Sequence, residues 1–212
     1  MKLYGYYRST SSYRIRIALA LKGLEYEHAP VNLLQGEHKA ASYLSLNPQG
    51  RVPVLDHAGR LVSQSPAILA YLEARFPAVA LLSEHLDTRV AQHEIASIIA
   101  CDMHPLHNVA VLNRLRKMGH DEPTVLRWIG HWISEGLNAI EPKIGADGFC
   151  FGPQPSVADV YLIPQLYAAE RFGVALDAYP RIRRVKERAA LEEAFRIAHP
   201  DNQPDNPLRQ AS

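Results

Sequence analysis

The sequence predicts an α/β domain followed by an all-α domain. Short period-two runs separated by turn residues occupy the chain only up to about residue 78. From about residue 88 the apolar residues recur at helical spacing instead. Between the two, Pro77 to Asp87 has no clean period and reads as a linker.

Residues 2–7 alternate and are rich in Leu and Tyr, which predicts a strand. Ser9 to Ser12 can cap a helix whose apolar residues Ile15, Ala18, Leu19 and Leu21 follow at helical spacing until Gly23. Tyr26 to Val31 predicts a second strand, and Gln35 to Tyr43 a short helix. Val52-Pro53-Val54-Leu55 and Leu61-Val62 flank Asp56-His57-Ala58-Gly59-Arg60, the pattern of a hairpin with a Gly-containing loop. Ser65-Pro66 opens a helix that carries Ile68, Leu69 and Leu72 and ends near Phe76-Pro77. The resulting order, β-α-β-α-β-β-α, implies a mixed sheet flanked by helices. Beyond the linker, long helices are expected from about Thr88 to Leu106 and from about Pro123 to Ile144. Ser156-Val157-Ala158-Asp159 resembles a capping box with Asp in the Glu position. Short helices near 180–188 and 191–198 follow, and the Pro-, Asn- and Asp-rich tail from His199 reads as irregular.

Composition narrows the function. The 212-residue chain is 47% hydrophobic and 21% charged, ordinary for a globular protein. A formal net charge of +1 gives no basic footprint for nucleic acid or for a membrane surface. The opening residues lack an apolar h-region, so no signal peptide is expected. No apolar run approaches the ~20 residues of a membrane span. The only cysteines, Cys101 and Cys150, lie far apart, which favours a reducing cytoplasm over a disulfide framework.

Three segments can carry chemistry. Proline cannot donate to a sheet ladder, so Val52-Pro53 marks an edge or a turn. A cis bond there would expose the Val52 backbone to an extended peptide ligand; otherwise Pro53 is a plain loop proline. Gln64-Ser65 opens a helix whose free N–H groups and dipole suit a carboxylate, or is an ordinary cap. The hydroxyls of Ser9, Thr10, Ser11 and Ser12 can donate to a thiolate at a helix start, or are redundant caps. Arg14 and Arg16 flank that start and can equally be solvated charges. Arg8 and Arg171 can anchor carboxylates through the planar guanidinium fork, or serve as surface charges or salt-bridge partners. Cys101, His104 and His107 superficially resemble metal-ligand spacing. They drift around a helix, Pro105 interrupts them, and no fourth ligand is near, so no metal is expected.

The order and spacing of the three segments resemble the glutathione site of a thioredoxin-like domain. The whole chain resembles the zeta class of glutathione transferases, which includes maleylacetoacetate and maleylpyruvate isomerases. The family's Ser-Ser-Cys-x-Trp-Arg-x-Arg-Ile-Ala-Leu run stands here as Ser9-Thr10-Ser11-Ser12-Tyr13-Arg14-Ile15-Arg16-Ile17-Ala18-Leu19. Further matches are Leu46-Asn47-Pro48, Val52-Pro53, Gln64-Ser65, Pro105-Leu106-x-Asn108, Ala158-Asp159, Ala169-Glu170-Arg171-Phe172, and Ala194-Phe195 with His199-Pro200. Ser11 replaces the family's cysteine, Thr10 its second serine and Tyr13 its tryptophan. His104 and His107 replace its glutamines. With Ser11 in place, the protein supplies no redox thiol of its own at this position.

The resemblance implies a thioredoxin-like glutathione-binding domain over residues 1–80. It implies an all-helical glutathione-transferase domain over 87–212 that carries the substrate side of an interdomain cleft and the contacts of a homodimer. It implies glutathione as cofactor and a small dicarboxylate keto acid as substrate. In the implied reaction a thiolate adds to a conjugated cis alkene, the resulting single bond rotates, and elimination restores glutathione. Catalytic roles fall to Ser9, Thr10 and Ser11 at the sulfur, with Thr10 and Ser11 leading, and to Arg8 and Arg171 at carboxylates. Cofactor contacts fall to Ser9, Thr10, Ser11, Ser12, Tyr13, Arg14, His38, Gln49, Val52, Pro53, Gln64, Ser65, His104, Asn108, Val109 and Ala110. The departures at Ser11 and His104 lean the expectation to maleylpyruvate, giving fumarylpyruvate in gentisate-type aromatic degradation. Maleylacetoacetate of tyrosine catabolism, a general glutathione transferase and a non-catalytic binding module are the alternatives.

Overall fold

A computed structural model describes residues 1–209. They form two compact units. The first contains a four-stranded mixed sheet of order β2-β1-β3-β4. Strand β1 (Lys2–Gly5) pairs in parallel with β2 (Glu27–Pro30) and antiparallel with β3 (Val54–His57). Strand β4 (Arg60–Ser63) completes the hairpin, with Val54 opposite Ser63 and His57 opposite Arg60. The expected loop is a tight turn of only Ala58 and Gly59, both at positive φ (53° and 81°), the geometry that matches strand twist.

Helix α1 (Thr10–Leu21) crosses from β1 to β2, α2 is the single turn Ala41–Leu44, and α3 (Ser65–Arg75) follows the hairpin. The predicted helix over Gln35–Tyr43 is split into a 3-10 turn at Glu37–Lys39 and α2. Leu3, Ile15, Ile17, Leu19, Leu55, Ile68 and Leu72 are fully buried. Each such side chain contributes roughly 1.5–3 kcal/mol of hydrophobic stabilisation. Burial runs around α1 rather than along one stripe, because α3 and α9 (Glu193–Ala198) both pack on it.

The described chain from Ala190 onward belongs to this first unit, where the sequence assigned residues 87–212 to the helical domain. Specific bonds hold it there. The Tyr13 hydroxyl reaches Phe195 O, and Arg16 Nε donates to Ala198 O at 2.9 Å. Arg16 is 1% exposed and Arg14 2%, so neither is a solvated charge.

The second unit is helical: α4 (Leu86–Ser97), α5 (Val109–Lys117), α6 (Glu122–Ile140), α7 (Val157–Arg171) and α8 (Pro180–Ala190). The helix expected to run to Leu106 changes character after Ser97. Ile98–Met103 is a π-helix and His104–His107 a 3-10 turn. Pro105 explains the break, since it lacks an N–H and its ring crowds the carbonyl of Cys101 one turn earlier. Met103 packs tightly on Gly136 of α6, where an added Cβ would lie 2.1 Å from the Met103 sulfur. By length and composition the run Leu86–Lys117 could cross a membrane, but Ile95, Ile99 and Met103 are instead buried in the unit's core. Helix α7 begins as the sequence predicts: Asp159 accepts both the N–H and the hydroxyl of Ser156 at 2.8 Å.

Candidate functional site

The first unit builds a site at the start of α1. Ser9 is the N-cap, and its Oγ accepts the Ser12 N–H at 3.2 Å. That bond fixes the oxygen and leaves the Ser9 hydroxyl proton to donate elsewhere. Ser12 is fully buried, and its Oγ accepts the Tyr6 N–H at 3.4 Å beneath Gly5. It stitches β1 to α1 and is sealed from a ligand. Thr10 is 6% exposed, whereas Ser9 and Ser11 are only half-buried. Ser9 and Ser11 are therefore more exposed than Thr10, which the sequence paired with Ser11 as the leading hydroxyls. Arg8 is also half-buried. Its charge opposes burial and the Tyr7 bond, which together push the Tyr6 hydroxyl up to about 12. Tyr6 is thus an O–H donor at neutral pH and not a base.

A second cluster lies where the hairpin meets α3. The Val52-Pro53 bond is cis. Val54 pairs with Ser63 in the last rung of the ladder, so Pro53 and Gln64 are the residues that flank that rung. Gln64 has φ 69°, a region that non-glycine residues seldom occupy and that clusters at functional positions. Its side-chain amide donates to Gln49 Oε1, so these two predicted residues are joined. Ser65 is buried at the first turn of α3, and Arg14 Nη1 approaches its Oγ at 3.3 Å. Arg14 thus adds a buried positive charge beside the positive end of the helix dipole. The side chains of Tyr13 and Arg14 act here from within the core and not as surface contacts.

The loop before Val52 is shaped by two bonds to the Arg51 carbonyl, from Tyr43 Oη and Asn47 Nδ2, each 2.7 Å. Gly50, at φ 59°, lets the chain pass close to His38, where a Cβ would sit 2.8 Å from the His38 carbonyl. His38 Nδ1 is buried without a hydrogen-bond partner, and burial followed by Lys39 lowers its pKa. A neutral ring nitrogen without a partner is a group that a ligand can satisfy.

In the second unit, the ring of His104 lies 5.2 Å from that of His107, which packs edge-on against Phe172 at 5.8 Å. Arg171, exposed at the end of α7, stacks over Phe172 at 4.6 Å. His104 and Arg171 are therefore brought into one aromatic–cationic cluster. Its buried support is His107 Nε2 against the Gln165 amide at 3.0–3.3 Å. Asn108 caps α5 by accepting the Ala110 N–H at 3.1 Å, with Val109 and Ala110 exposed on the first turn. Among the described residues no group of three His, Cys, Asp or Glu is arranged to hold a metal ion.

The geometry defines a thioredoxin-like domain with a hydroxyl-rich helix start, a cis-proline and a carboxylate-suited helix start in one unit. The family profile for the glutathione S-transferase N-terminal domain matches residues 1–74. A maleylacetoacetate isomerase of Pseudomonas aeruginosa is 62% identical over 98% of this chain and 99% of its own. A holo maleylpyruvate isomerase, a bacterial zeta-class glutathione S-transferase, superposes with a TM-score of 0.94 at 43% identity, covering 97% and 99% of the two chains. The maleylacetoacetate isomerase of Anaeromyxobacter dehalogenans with glutathione in its active site superposes at 0.88, also at 43% identity, covering 97% of each. The chain belongs to the zeta-class glutathione transferases, the family of maleylacetoacetate and maleylpyruvate isomerases. Its cofactor is glutathione.

The residues of the first unit fit that cofactor by their donor chemistry. A thiol would find hydroxyls at the start of α1, a carboxylate would find the start of α3 with Arg14 behind it, and His38 Nδ1 would be open to a polar group. Sequence reasoning assigned no role to Gln165, and it offered His107 as a replaced glutamine and as part of a metal-like spacing but not as a buried support. A polar residue amid the apolar positions of α7 was the available signal for Gln165.

Proposed function

We propose that the chain isomerises maleylacetoacetate to its trans isomer, with glutathione regenerated in each cycle. The carrying observation is the pairing of accessible Ser9 and Ser11 hydroxyls with the Gln64–Ser65 helix start in one unit. Such a site activates a thiol and holds the carboxylates of the molecule that bears it. Glutathione, when bound, supplies the nucleophile that removes the double-bond character of the maleyl alkene for a moment.

The chain's own residues do the rest. Ser9 and Ser11 donate hydrogen bonds that favour the charged sulfur over the thiol. His38, Gln49, the Val52 backbone and Gln64–Ser65 orient the tripeptide. Arg8 and Arg171 bind carboxylates, and the charge of Arg8 stabilises the negative charge that develops on the substrate carbonyl during rotation. His104 and Asn108 add polar groups for the keto acid. These polar and charged groups argue against a general detoxifying transferase, which would need an apolar surface for aromatic electrophiles.

The 62% identity to a maleylacetoacetate isomerase supports that substrate. The TM-score of 0.94 to a maleylpyruvate isomerase, together with Ser11 and His104, supports maleylpyruvate as the second reading. Side-by-side kcat/KM values decide between them, and a clear preference for maleylpyruvate would overturn the first. The resemblance also points to a homodimer; a monomeric mass by light scattering would remove it. Free thiols at exposed Cys101 and buried Cys150 suit the reducing compartment in which glutathione is kept.

A further inference from the structure

The C-terminal segment reaches back to the turn that carries the sulfur-site hydroxyls. Asp205 Oδ2 accepts the Tyr7 N–H at 2.8 Å, and Oδ1 lies 3.0 Å from His28 Nε2. The two side chains are only 11% and 14% exposed. A carboxylate can only accept, so His28 Nε2 carries the proton. His28 Nδ1, buried without a partner, is consistent with a ring that holds its proton on the other nitrogen.

Arg16 holds the same turn from the other side. Its Nη2 donates to Tyr7 O at 2.9 Å and its Nη1 to Tyr6 O at 3.5 Å. The Ser9 N–H also donates to Tyr6 O, at 3.0 Å. Tyr7 is therefore clamped at its N–H by Asp205 and at its carbonyl by Arg16, two residues before Ser9. Asp205 is itself held by buried neighbours. Gln203 Nε2 donates to Ile197 O and His199 O at 2.8 and 2.9 Å, and Asn206, 3% exposed, donates its backbone N–H to Gln203 O.

We propose that Asp205 is a positioning residue for the sulfur site, fixing through Tyr7 the Tyr6–Ser9 turn from which Arg8 and Ser9 project. This rests on the glutathione-dependent function proposed above. Burial alone would raise the Asp205 carboxyl, but its bonds to His28 and the Tyr7 N–H outweigh that and hold it below the usual carboxylate range. It therefore accepts both bonds as an anion, the stronger kind. His28 sits on β2 and Asp205 in the C-terminal tail, so the device joins a strand, the tail and the turn at one carboxylate.

Two variants and the whole chain test this. Asp205→Asn leaves one accepting oxygen for two partners, and Asp205→Ala leaves none. The ultraviolet absorbance of the thiolate is titrated in the glutathione complex, alongside steady-state isomerisation. Small displacements of a reacting group carry large rate penalties. Accordingly, kcat is expected to fall about threefold in Asp205→Asn and about tenfold in Asp205→Ala. The bound thiol pKa rises in the same order, Tyr7 amide exchange quickens, and KM for the keto acid stays within about twofold. Should Asp205→Ala fail to fold, Asp205→Asn decides alone. Variants with wild-type kcat and thiol pKa would overturn the role of Asp205 while leaving the enzyme's function intact. A wild-type protein that does not lower the thiol pKa of bound glutathione would overturn the function and this role together.

Discussion

Ser9 allows the thiol-activating chemistry to be separated from helix stability. Its oxygen caps α1 through the Ser12 N–H, and its proton is the donor assigned to the sulfur. Ser9→Ala removes both, whereas Ser9→Gly removes the donor but leaves most of the capping. An N-cap Ser→Ala change costs about 1 kcal/mol of stability and Ser→Gly only a few tenths. A hydrogen bond to a charged group is worth about 1.5–3 kcal/mol. At about 1.4 kcal/mol per pKa unit, its loss raises the bound thiol pKa by about 1–2 units in both variants. The backbone at Ser9, φ −70° and ψ 120°, suits any residue, so no strain confuses the comparison. Ser12→Ala is the control. Its weak 3.4 Å bond to Tyr6 lies in the core and leaves the Tyr7 clamp in place, so thermal stability falls while the thiol pKa moves less than in Ser9→Gly. Thiolate absorbance against pH and thermal unfolding measure the two effects. A wild-type thiol pKa in Ser9→Gly would refute the assignment, as would parallel shifts in Ser12→Ala.

The remaining expectations concern the substrate end and the supports. Arg171→Ala removes the exposed side chain proposed as a carboxylate anchor and should raise KM about tenfold with kcat little changed; unchanged kinetics would remove Arg171 from the site. Asp159→Ala leaves the N–H groups of Cys150 and Ser156, both held at 2.8 Å, without their acceptor in the core. A loss of about 3–5 kcal/mol in denaturant unfolding is expected, and less than about 1 kcal/mol would contradict the burial argument. The lowered Asp205 carboxyl contributes stability above the unfolded carboxylate pKa of about 3.9, and that contribution is lost as pH falls through its lower folded value. Asp205→Asn should therefore lie below wild type at neutral pH and converge with it in acid; a constant gap would refute the linkage.

The sheet was legible because its signals are local. Alternation marked β1, and Ala58-Gly59 closed the hairpin at the position where positive φ is needed. The capping box at Ser156–Asp159 was legible for the same reason. Helix α5 was missed although Asn108 caps it, since its nine residues lie close behind Pro105. The π stretch at Ile98–Met103 carries no periodic signature of its own. Burial of Arg14 and Arg16 was not legible either. Local spacing does not report that α3 and α9 both pack on α1. The same reason hid Asp205, which lies 198 positions from its partner Tyr7. At the site, residue types carried the reading, while the distinction between accessible Ser9 and sealed Ser12 needed coordinates.

The most direct test of the account follows the absorbance of maleylacetoacetate and maleylpyruvate with and without glutathione, while glutathione itself is quantified. Turnover is expected to saturate with glutathione, leave its concentration unchanged and favour maleylacetoacetate in kcat/KM. Turnover without glutathione, or its stoichiometric consumption, would contradict the account.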